Sequence, residues 1–230
     1  MKTAPLDIDY QIVRSRRKTV AIMVKDGLVE VRAPNTTPQY WIDDFVKQKG
    51  SWIAKQLKEQ SIKSQEIYQL KDGETVTFCG AEKIIRIASG TNCVSISDDD
   101  IIIMCCSSEP KQVLKVFEKW LLEQAKSYLP NKVESLACEL GVEKKLTKVK
   151  FRKTKTKWGH CTVEGVIQLN QLIMLAPMFV IDYLIVHELC HLRYMNHSKA
   201  FWQMVALYCP AYRDAENWIK KHGHKLWYQV

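Results

Sequence analysis

An apolar segment near the C-terminus carries two histidines at a spacing that few structures can use. Residues 180–192 read Val-Ile-Asp-Tyr-Leu-Ile-Val-His-Glu-Leu-Cys-His-Leu, so His187 and His191 belong to an HExxH sequence inside a strongly apolar run. Side chains four residues apart lie on one face of a helix, about 5 to 6 Å apart at Cβ. Two imidazoles can therefore converge on one zinc ion at about 2.0 to 2.1 Å, and we predict a zinc-binding helix from Pro177 to about Tyr194.

Glu188, next to the first of these histidines, has the position expected of a general base. A bound zinc ion lowers the pKa of a coordinated water from 15.7 to about 7, and a nearby carboxylate can accept the proton as that water attacks a carbonyl. The same carboxylate can then deliver the proton to the leaving nitrogen. The motif therefore predicts metal-assisted hydrolysis of a peptide bond.

A catalytic zinc site needs a third protein ligand, and His197 is the leading candidate. It lies ten residues after His187, which is the ligand spacing of metzincins. On a continuing helix it would face away from the metal, so we expect the helix to end before it, with Asn196 in a left-handed backbone conformation at the turn. Ser198 would then cap the next helix. Glu216, on the last helix, is the alternative third ligand.

Other side chains near the motif have less specific interpretations. Tyr194 and His160 could each stabilise an oxyanion, although packing or a surface position is the commoner role of such residues. Cys190 lies between the two helical histidines, and we expect it to be a small buried hydrophobe and not a thiolate ligand. Phe201 and Trp202 are expected to pack beneath the site and not to bind substrate.

The first part of the chain alternates strand and turn patterns. Residues 19–32 contain two apolar strand patterns around a Lys-Asp-Gly turn, which predicts a hairpin. Residues 38–64 have helical spacing interrupted by Gly50, which predicts one helix or two abutting helices. Two further strand pairs are predicted within residues 74–104. Residues 1–108 are therefore predicted to form an N-terminal β-rich module with one helical segment.

The second part is predicted to be mostly helical, with a few short strands. An amphipathic helical pattern begins after residue 109 and continues past Pro130, and strands are predicted at about 147–153 and 163–170. Two short helices follow the zinc-binding helix. We expect residues 109–230 to form a separate catalytic domain, in a protein of the α+β class.

The distribution of charge suggests a further partner. The chain has a formal net charge of +9, and residues 144–157 contain eight Lys and Arg and no acidic residue. Such a segment can bind a phosphate backbone or an acidic substrate, and it is equally typical of a solvated strand face. Nucleic acid is therefore a candidate partner besides the protein or peptide substrate.

Several function classes are disfavoured by composition. The eight cysteines form no CxxC pair, which argues against a structural zinc site built from cysteines. No run approaches the roughly 18 apolar residues of a membrane span, and the N-terminus has acidic residues where a secretory signal needs an apolar run. We therefore expect a cytoplasmic protein without a membrane-embedded part.

Several segments resemble the YgjP-like metallopeptidases, which are related to the SprT/Spartan and WLM zincins. The order of these segments matches over nearly the whole chain. The resemblance rests on the following sequences: Lys-Thr-Lys-Trp-Gly-His-Cys at 155–161, Gly-Val-Ile-Gln-Leu-Asn at 165–170, the apolar stretch 181–192, and Asn-His-Ser-Lys-Ala-Phe-Trp at 196–202. His160 is a departure, because the family usually has Ser there.

The resemblance implies a minimal zincin-like domain, made of a helix, a small antiparallel sheet and the metal helix. It also implies peptidase activity, with His187, His191 and His197 as ligands of Zn²⁺ and Glu188 as the base; some relatives act on proteins crosslinked to DNA. Two alternatives stay open, namely a nucleic-acid-associated protease or DNA-binding protein and a non-catalytic module with structural zinc. Glu188 disfavours the second, because a structural site closes all four positions and needs no base.

Overall fold

The computed structural model describes residues 8–65, 70–154 and 156–227. The described residues form two compact units that separate between residues 66 and 67. Strands and helices occur in both units, so the predicted α+β class is confirmed. No helix in these described ranges combines the length and the apolar character needed to cross a membrane.

The first unit is a three-stranded sheet covered by two helices. The predicted hairpin is confirmed, with a two-residue turn at Asp26 and Gly27 in which both φ angles are positive, 51° and 76°. The two helices abut at Gly50, as one of the alternatives predicted. The strands are β1 (Gln11–Ser15), β2 (Ala21–Lys25) and β3 (Leu28–Pro34), and the helices are α1 (Gln39–Gln48) and α2 (Gly50–Gln65).

The first sheet is mixed, since β1 lies parallel to β3 while β2 runs antiparallel to β3. Its buried face alternates along β3, as expected of a strand with one face toward a core. This face packs against α1 and α2 in a separate apolar cluster. The buried members of that cluster are Val29, Val31, Ala33, Ile42, Val46 and Ile53.

The second unit begins with a four-stranded sheet in the order β4-β5-β7-β6. Both predicted strand pairs are present as antiparallel neighbours. The pairs are joined through a parallel contact between β5 and β7, which no local turn signal predicts. The strands are β4 (Thr75–Phe78), β5 (Ala81–Ser89), β6 (Cys93–Ile96) and β7 (Asp100–Cys105).

This sheet shares its core with the long helix that follows it. Helix α3 (Pro110–Glu139) buries Phe117 and Trp120, and Trp120 contacts Phe78 of β4 with ring centroids 5.1 Å apart. The sequence predicts that this sheet belongs to an N-terminal module ending at residue 108. In the structure the sheet belongs to the same compact unit as the C-terminal helices, because its apolar face is buried against α3.

The remaining small sheet has the order β8-β10-β9. It comprises β8 (Lys148–Phe151), β9 (Gly159–Cys161) and β10 (Val166–Leu169). The predicted antiparallel arrangement is wrong for one pair, because β8 runs parallel to β10 and only β9 is antiparallel to it. Strand β9 lies on the far side of β10 and runs opposite to it, so the chain enters β10 in the same direction as β8.

Three helices complete the second unit. They are α4 (Met178–His191), α5 (Lys199–Tyr208) and α6 (Tyr212–His222). Helix α4 is buried along almost its whole length, and it packs against α3, α5, α6 and β9. The predicted metal-binding helix is therefore the central helix of this unit.

Candidate metal centre

Helix α4 places the first two imidazoles. His187 and His191 lie one helical turn apart near its C-terminal end. Their ring centroids are 5.0 Å apart, with the ring planes nearly perpendicular at 81°. The spacing of four residues has therefore put both rings on one face of the helix.

The helix ends immediately after the second of these rings. The backbone N–H groups of Arg193 and Tyr194 both donate to the carbonyl of Cys190, at 3.1 and 2.9 Å, and this tightens the last turn. The chain then reverses and enters α5 at Lys199. A helical continuation would have turned His197 away, and the early stop prevents that.

The backbone of the turn differs from the prediction in one respect. Among the described residues other than glycine, only Asp26 and Cys79 have a positive φ, so the left-handed conformation predicted for Asn196 is wrong. At the tightened helix end the chain changes direction over several residues, and no residue there needs a left-handed conformation. The predicted cap of α5 is confirmed, because the Ser198 hydroxyl accepts a hydrogen bond from the N–H of Phe201.

Three imidazoles meet at one point as a result. The Nε2 atoms of His187 and His197 are 3.1 Å apart, and one ligand atom from each of His187, His191 and His197 lies within 4.8 Å of the other two. Within the part of the chain that the structure describes, this is the group of His, Cys and acidic side chains that could hold a metal ion. His197 is exposed and the other two are partly buried, so the cluster is open on one side.

The far nitrogen of two rings is held by a hydrogen bond. Nδ1 of His191 is 3.0 Å from the carbonyl oxygen of Tyr194, and Nδ1 of His187 is 3.3 Å from the hydroxyl of Tyr183. Such partners fix the orientation of an imidazole and favour the tautomer with the proton on Nδ1. In that tautomer Nε2 has a free lone pair that faces the cluster.

Two aromatic residues of α5 pack against the imidazoles. Phe201 is fully buried and stacks on His191, with centroids 4.6 Å apart at 30°. Trp202 stacks on His197, with centroids 5.6 Å apart at 27°. The packing role predicted for both residues is confirmed, and it restricts the rotation of the exposed His197 ring.

Glu188 is buried against the backbone of β9. Glu188 lies beside the three imidazoles and is only 4% exposed. A Cβ atom placed on Gly159 would lie 2.3 Å from Oε1 of Glu188 and 2.7 Å from its Cδ, far inside any van der Waals contact. Only glycine at this position lets the carboxylate occupy its place.

Burial dominates the electrostatics of these groups. It raises the pKa of Glu188 to about 8, and the positive charge of Lys157 opposes that change. Burial also lowers the pKa of His187 to about 3, with smaller contributions from His191 and His197. The neutral imidazole that a metal ion requires is therefore the favoured form of His187.

Two cavities lie on either side of Glu188 and Gly159. One, of about 320 Å³, adjoins the three imidazoles and is also lined by His160. The other, of about 240 Å³, is lined by the apolar side chains of Trp158, Leu184 and Ile219. Lys157 lines both cavities.

The other candidate residues have separate positions. His160 lines the cavity beside the imidazoles, whereas Tyr194 contributes its carbonyl to His191. Cys190 is completely buried, as predicted. Glu216 is not in the described group of metal-capable side chains, and it lines the second cavity together with Tyr183.

The sequence matches a known family. The family model described as YgjP-like, metallopeptidase domain, matches residues 18–222 of this chain. The chain belongs to the YgjP-like family. The resemblance noted in the sequence is confirmed, and the relation to SprT/Spartan and WLM proteins stays a prediction. Membership in a metallopeptidase family implies a metal ion, which the three histidines of this YgjP-like chain could hold.

Comparison with the curated proteins found no match. A solved structure that resembles part of this YgjP-like chain is the metallopeptidase zymogen of abylysin from Pyrococcus abyssi. It is 25% identical, and the similarity covers 40% of this chain and 91% of that chain with a TM-score of 0.37.

Sequence reasoning missed two residues of the site. Gly159 lies within the segment 155–161 that resembles the family, and no role was predicted for it. A glycine within a strand often marks a close approach of the backbone to another group. Tyr183 precedes His187 by four residues, so the helical spacing that pairs the histidines also places this hydroxyl on the same face. Both signals were present in the sequence.

We expect Gly159→Ala to displace the Glu188 carboxylate while leaving the three imidazoles in place. A misplacement of about 1 Å can reduce a reaction rate by about 100-fold, so kcat for peptide cleavage should fall by roughly that factor while bound metal is retained. Gly90→Ala is the matched control, because a Cβ there meets its nearest atom at an ordinary 3.5 Å. Equal rates for Gly159→Ala and wild type would contradict the steric argument.

The pKa of Glu188 predicts how pH affects the metal-free protein. The folded-state pKa of about 8 lies above the ordinary value of 4.5, so between these pH values the unfolded chain binds fewer protons and stability falls as pH rises. Glu188→Gln removes this loss. Its free energy of unfolding relative to wild type should therefore increase from pH 4.5 to 8, by at least about 1.4 kcal/mol, which is the equivalent of one pKa unit.

Urea denaturation of both metal-free proteins at several pH values would measure this difference. His187 titrates in both proteins, so its contribution cancels in the comparison. If the difference in free energy of unfolding between Glu188→Gln and wild type stayed constant from pH 4.5 to 8, the Glu188 carboxyl would not retain its proton in the folded protein.

Proposed function

We propose that the chain is a zinc-dependent peptidase in which His187, His191 and His197 hold the metal and Glu188 is the general base. The observation that carries this proposal is the convergence of three imidazole nitrogens within 4.8 Å beside a buried carboxylate. Membership in a metallopeptidase family supports peptide hydrolysis as the reaction.

The donor set fits zinc better than a harder cation. Neutral imidazoles suit zinc, whereas magnesium and calcium prefer oxygen ligands. Two nitrogens bound to tetrahedral zinc at about 2.0 to 2.1 Å are about 3.4 Å apart. The distance of 3.1 Å between the Nε2 atoms of His187 and His197 is close to that value. Three protein ligands leave one position open, as in catalytic zinc sites.

Glu188 can move the proton that the reaction requires. When bound, zinc supplies a nucleophile at neutral pH by lowering the pKa of a coordinated water to about 7. The carboxylate of Glu188 would accept the proton released in the attack, hold it within its buried position against Gly159, and donate it to the leaving nitrogen. The positive charge of Lys157 favours the ionised carboxylate before that transfer.

Strand β9 lies at the edge of its sheet, and this position supports binding of an extended substrate. The Trp158 carbonyl accepts from Asn170, and the Thr162 N–H donates to Val166, so these groups face β10 and the segment that follows it. Since alternate residues of an antiparallel strand face opposite edges, Gly159 and Cys161 direct their backbone groups away from β10. A peptide paired along that edge would pass beside the cavity that adjoins the imidazoles.

Glu188→Gln is the decisive test. We expect the variant to bind one zinc ion and to unfold cooperatively, but to lose peptide cleavage by about 100- to 10,000-fold, the usual contribution of a general base. Metal analysis and digestion of a peptide library would be run on wild type, this variant and Glu134→Gln. Glu134 is an exposed carboxylate on α3, so its variant controls for the same chemical change.

Each result has a different meaning for the mechanism. Full activity of Glu188→Gln would exclude Glu188 as the base. A wild-type protein that binds zinc tightly and cleaves nothing in the library would favour the alternative of a structural zinc module. Removal of zinc with a chelator should abolish cleavage, and added zinc should restore it.

A second proposal concerns nucleic acid, and the exposed face of β8 favours it. Lys148 and Lys150 alternate with Val149 and Phe151, so the lysines are exposed while the apolar pair packs toward the core. Lys153 is paired with Glu118 and is less available. We propose that Lys148 and Lys150 contact a phosphate backbone and bring the peptidase to proteins bound to nucleic acid.

Binding of duplex DNA should weaken steeply as salt increases. Lys148→Glu/Lys150→Glu should reduce affinity and lower the slope of log affinity against log salt by about 2, roughly one for each phosphate that the variant no longer neutralises. Lys55→Glu/Lys58→Glu on α2 makes the same change in net charge and is the control. Absent binding, or equal reductions of affinity in both variants, would exclude a specific role for β8.

A further inference from the structure

Tyr183 contacts a predicted ligand through a hydroxyl group inside the protein. It lies on α4 one turn before His187 and is only 5% exposed. Its hydroxyl is 3.3 Å from Nδ1 of His187, and the two rings meet edge to face with centroids 5.6 Å apart. The contact is therefore made between the hydroxyl and the ring nitrogen that faces away from the cluster.

The direction of this hydrogen bond follows from the other ring nitrogen. Nε2 of His187 faces Nε2 of His197 and must be without a proton to bind a metal ion. The single proton of the neutral ring then lies on Nδ1, which donates to the oxygen of the Tyr183 hydroxyl. The hydroxyl cannot donate back to that nitrogen, so its own proton needs a different acceptor.

Glu216, on the neighbouring helix, can supply that acceptor. Helix α6 packs against α4, and Glu216, Tyr183 and His187 line the same cavity of about 240 Å³. A phenol hydroxyl that accepts from Nδ1 still has its own proton to donate, and the carboxylate of Glu216 can accept it.

We propose that Tyr183 and Glu216 form a hydrogen-bond relay that fixes the Nδ1 proton and the orientation of His187, and that both are positioning residues for the metal. This inference rests on the proposed function, in which His187 binds zinc. Neither side chain touches the metal in this arrangement. Partners of this kind stabilise metal binding because they orient the ligand and raise its basicity.

The relay also explains why Glu216 is acidic although it is not a ligand. A glutamine at this position could accept the same hydrogen bond but would have no charge to balance the imidazole as it donates electron density to the metal. His191 is held differently, by the carbonyl of Tyr194, which a side-chain substitution at residue 194 would leave in place. The two helical ligands therefore differ in how mutation can affect them.

The test is a double-mutant cycle on zinc affinity. Zinc dissociation constants would be measured by chelator competition for wild type, Tyr183→Phe, Glu216→Gln and the double variant. We expect each single variant to weaken zinc binding by about 10- to 100-fold, the usual effect of losing such a partner. The double variant should bind zinc little more weakly than the weaker-binding single variant, because Glu216 acts on His187 through the Tyr183 hydroxyl.

A second measurement separates positioning from general damage. In the zinc-loaded protein, the Nδ1 proton of His187 can be followed by nitrogen-detected NMR. Its exchange with water should be at least several-fold faster in Tyr183→Phe, whereas the proton of His191, held by a carbonyl, should exchange as in wild type. A merely structural role would change both rings or neither.

Two control variants match the chemical changes. Tyr208→Phe removes an exposed hydroxyl from α5, and Asp214→Asn removes an exposed carboxylate from α6. Both should bind zinc as tightly as wild type.

The outcomes distinguish the relay from the proposed function. Wild-type zinc affinity in Tyr183→Phe, or single effects that multiply in the double variant, would overturn the relay while zinc binding by wild type still stands. A wild-type protein that binds no zinc would overturn the proposed function, and the relay with it.

Discussion

The burial of polar groups within an apolar helix is the constraint on which the second unit depends. Helix α4 is surrounded by other elements, yet it carries His187 and Glu188 into that environment. Desolvation disfavours the charged form of both groups, which keeps the imidazole neutral and the carboxyl protonated in the metal-free protein. A divalent cation would reverse the preference at Glu188, since a positive charge nearby favours the carboxylate. Burial of the ionised Glu188 carboxylate would therefore cost less free energy when a metal ion is bound.

The convergence of the three imidazoles could be predicted from the sequence because it depends on short-range spacing. The separation of His187 from His191, the apolar character of the residues around them and the cap at Ser198 are all properties of consecutive residues. The need for the helix to stop before His197 also follows from helix geometry alone. The backbone conformation of the turn after α4 could not be predicted. Hydrogen bonds at the end of α4 make the turn without the left-handed residue expected at Asn196.

The features that could not be predicted depend on contacts between distant segments. The parallel pairings of β1 with β3, β5 with β7 and β8 with β10 have no local turn signal, since each joins strands that are not consecutive or are separated by a long connection. The boundary between the two compact units could not be predicted for the same reason. The sheet of β4 to β7 looks self-contained in sequence, but its apolar face has no cover until α3 is placed on it. The edge strand β9 is only three residues long, too short for a periodic pattern.

Helix α3 has a consequence for how the second unit can move. Its 30 residues contact β6 and β7 of the four-stranded sheet, β8 of the small sheet and α4. A helix that contacts so many elements couples their opening, because none of them can separate without exposing part of the same apolar stripe. The small sheet and α4, which position Gly159 and the imidazoles, are therefore expected to open only together with the four-stranded sheet.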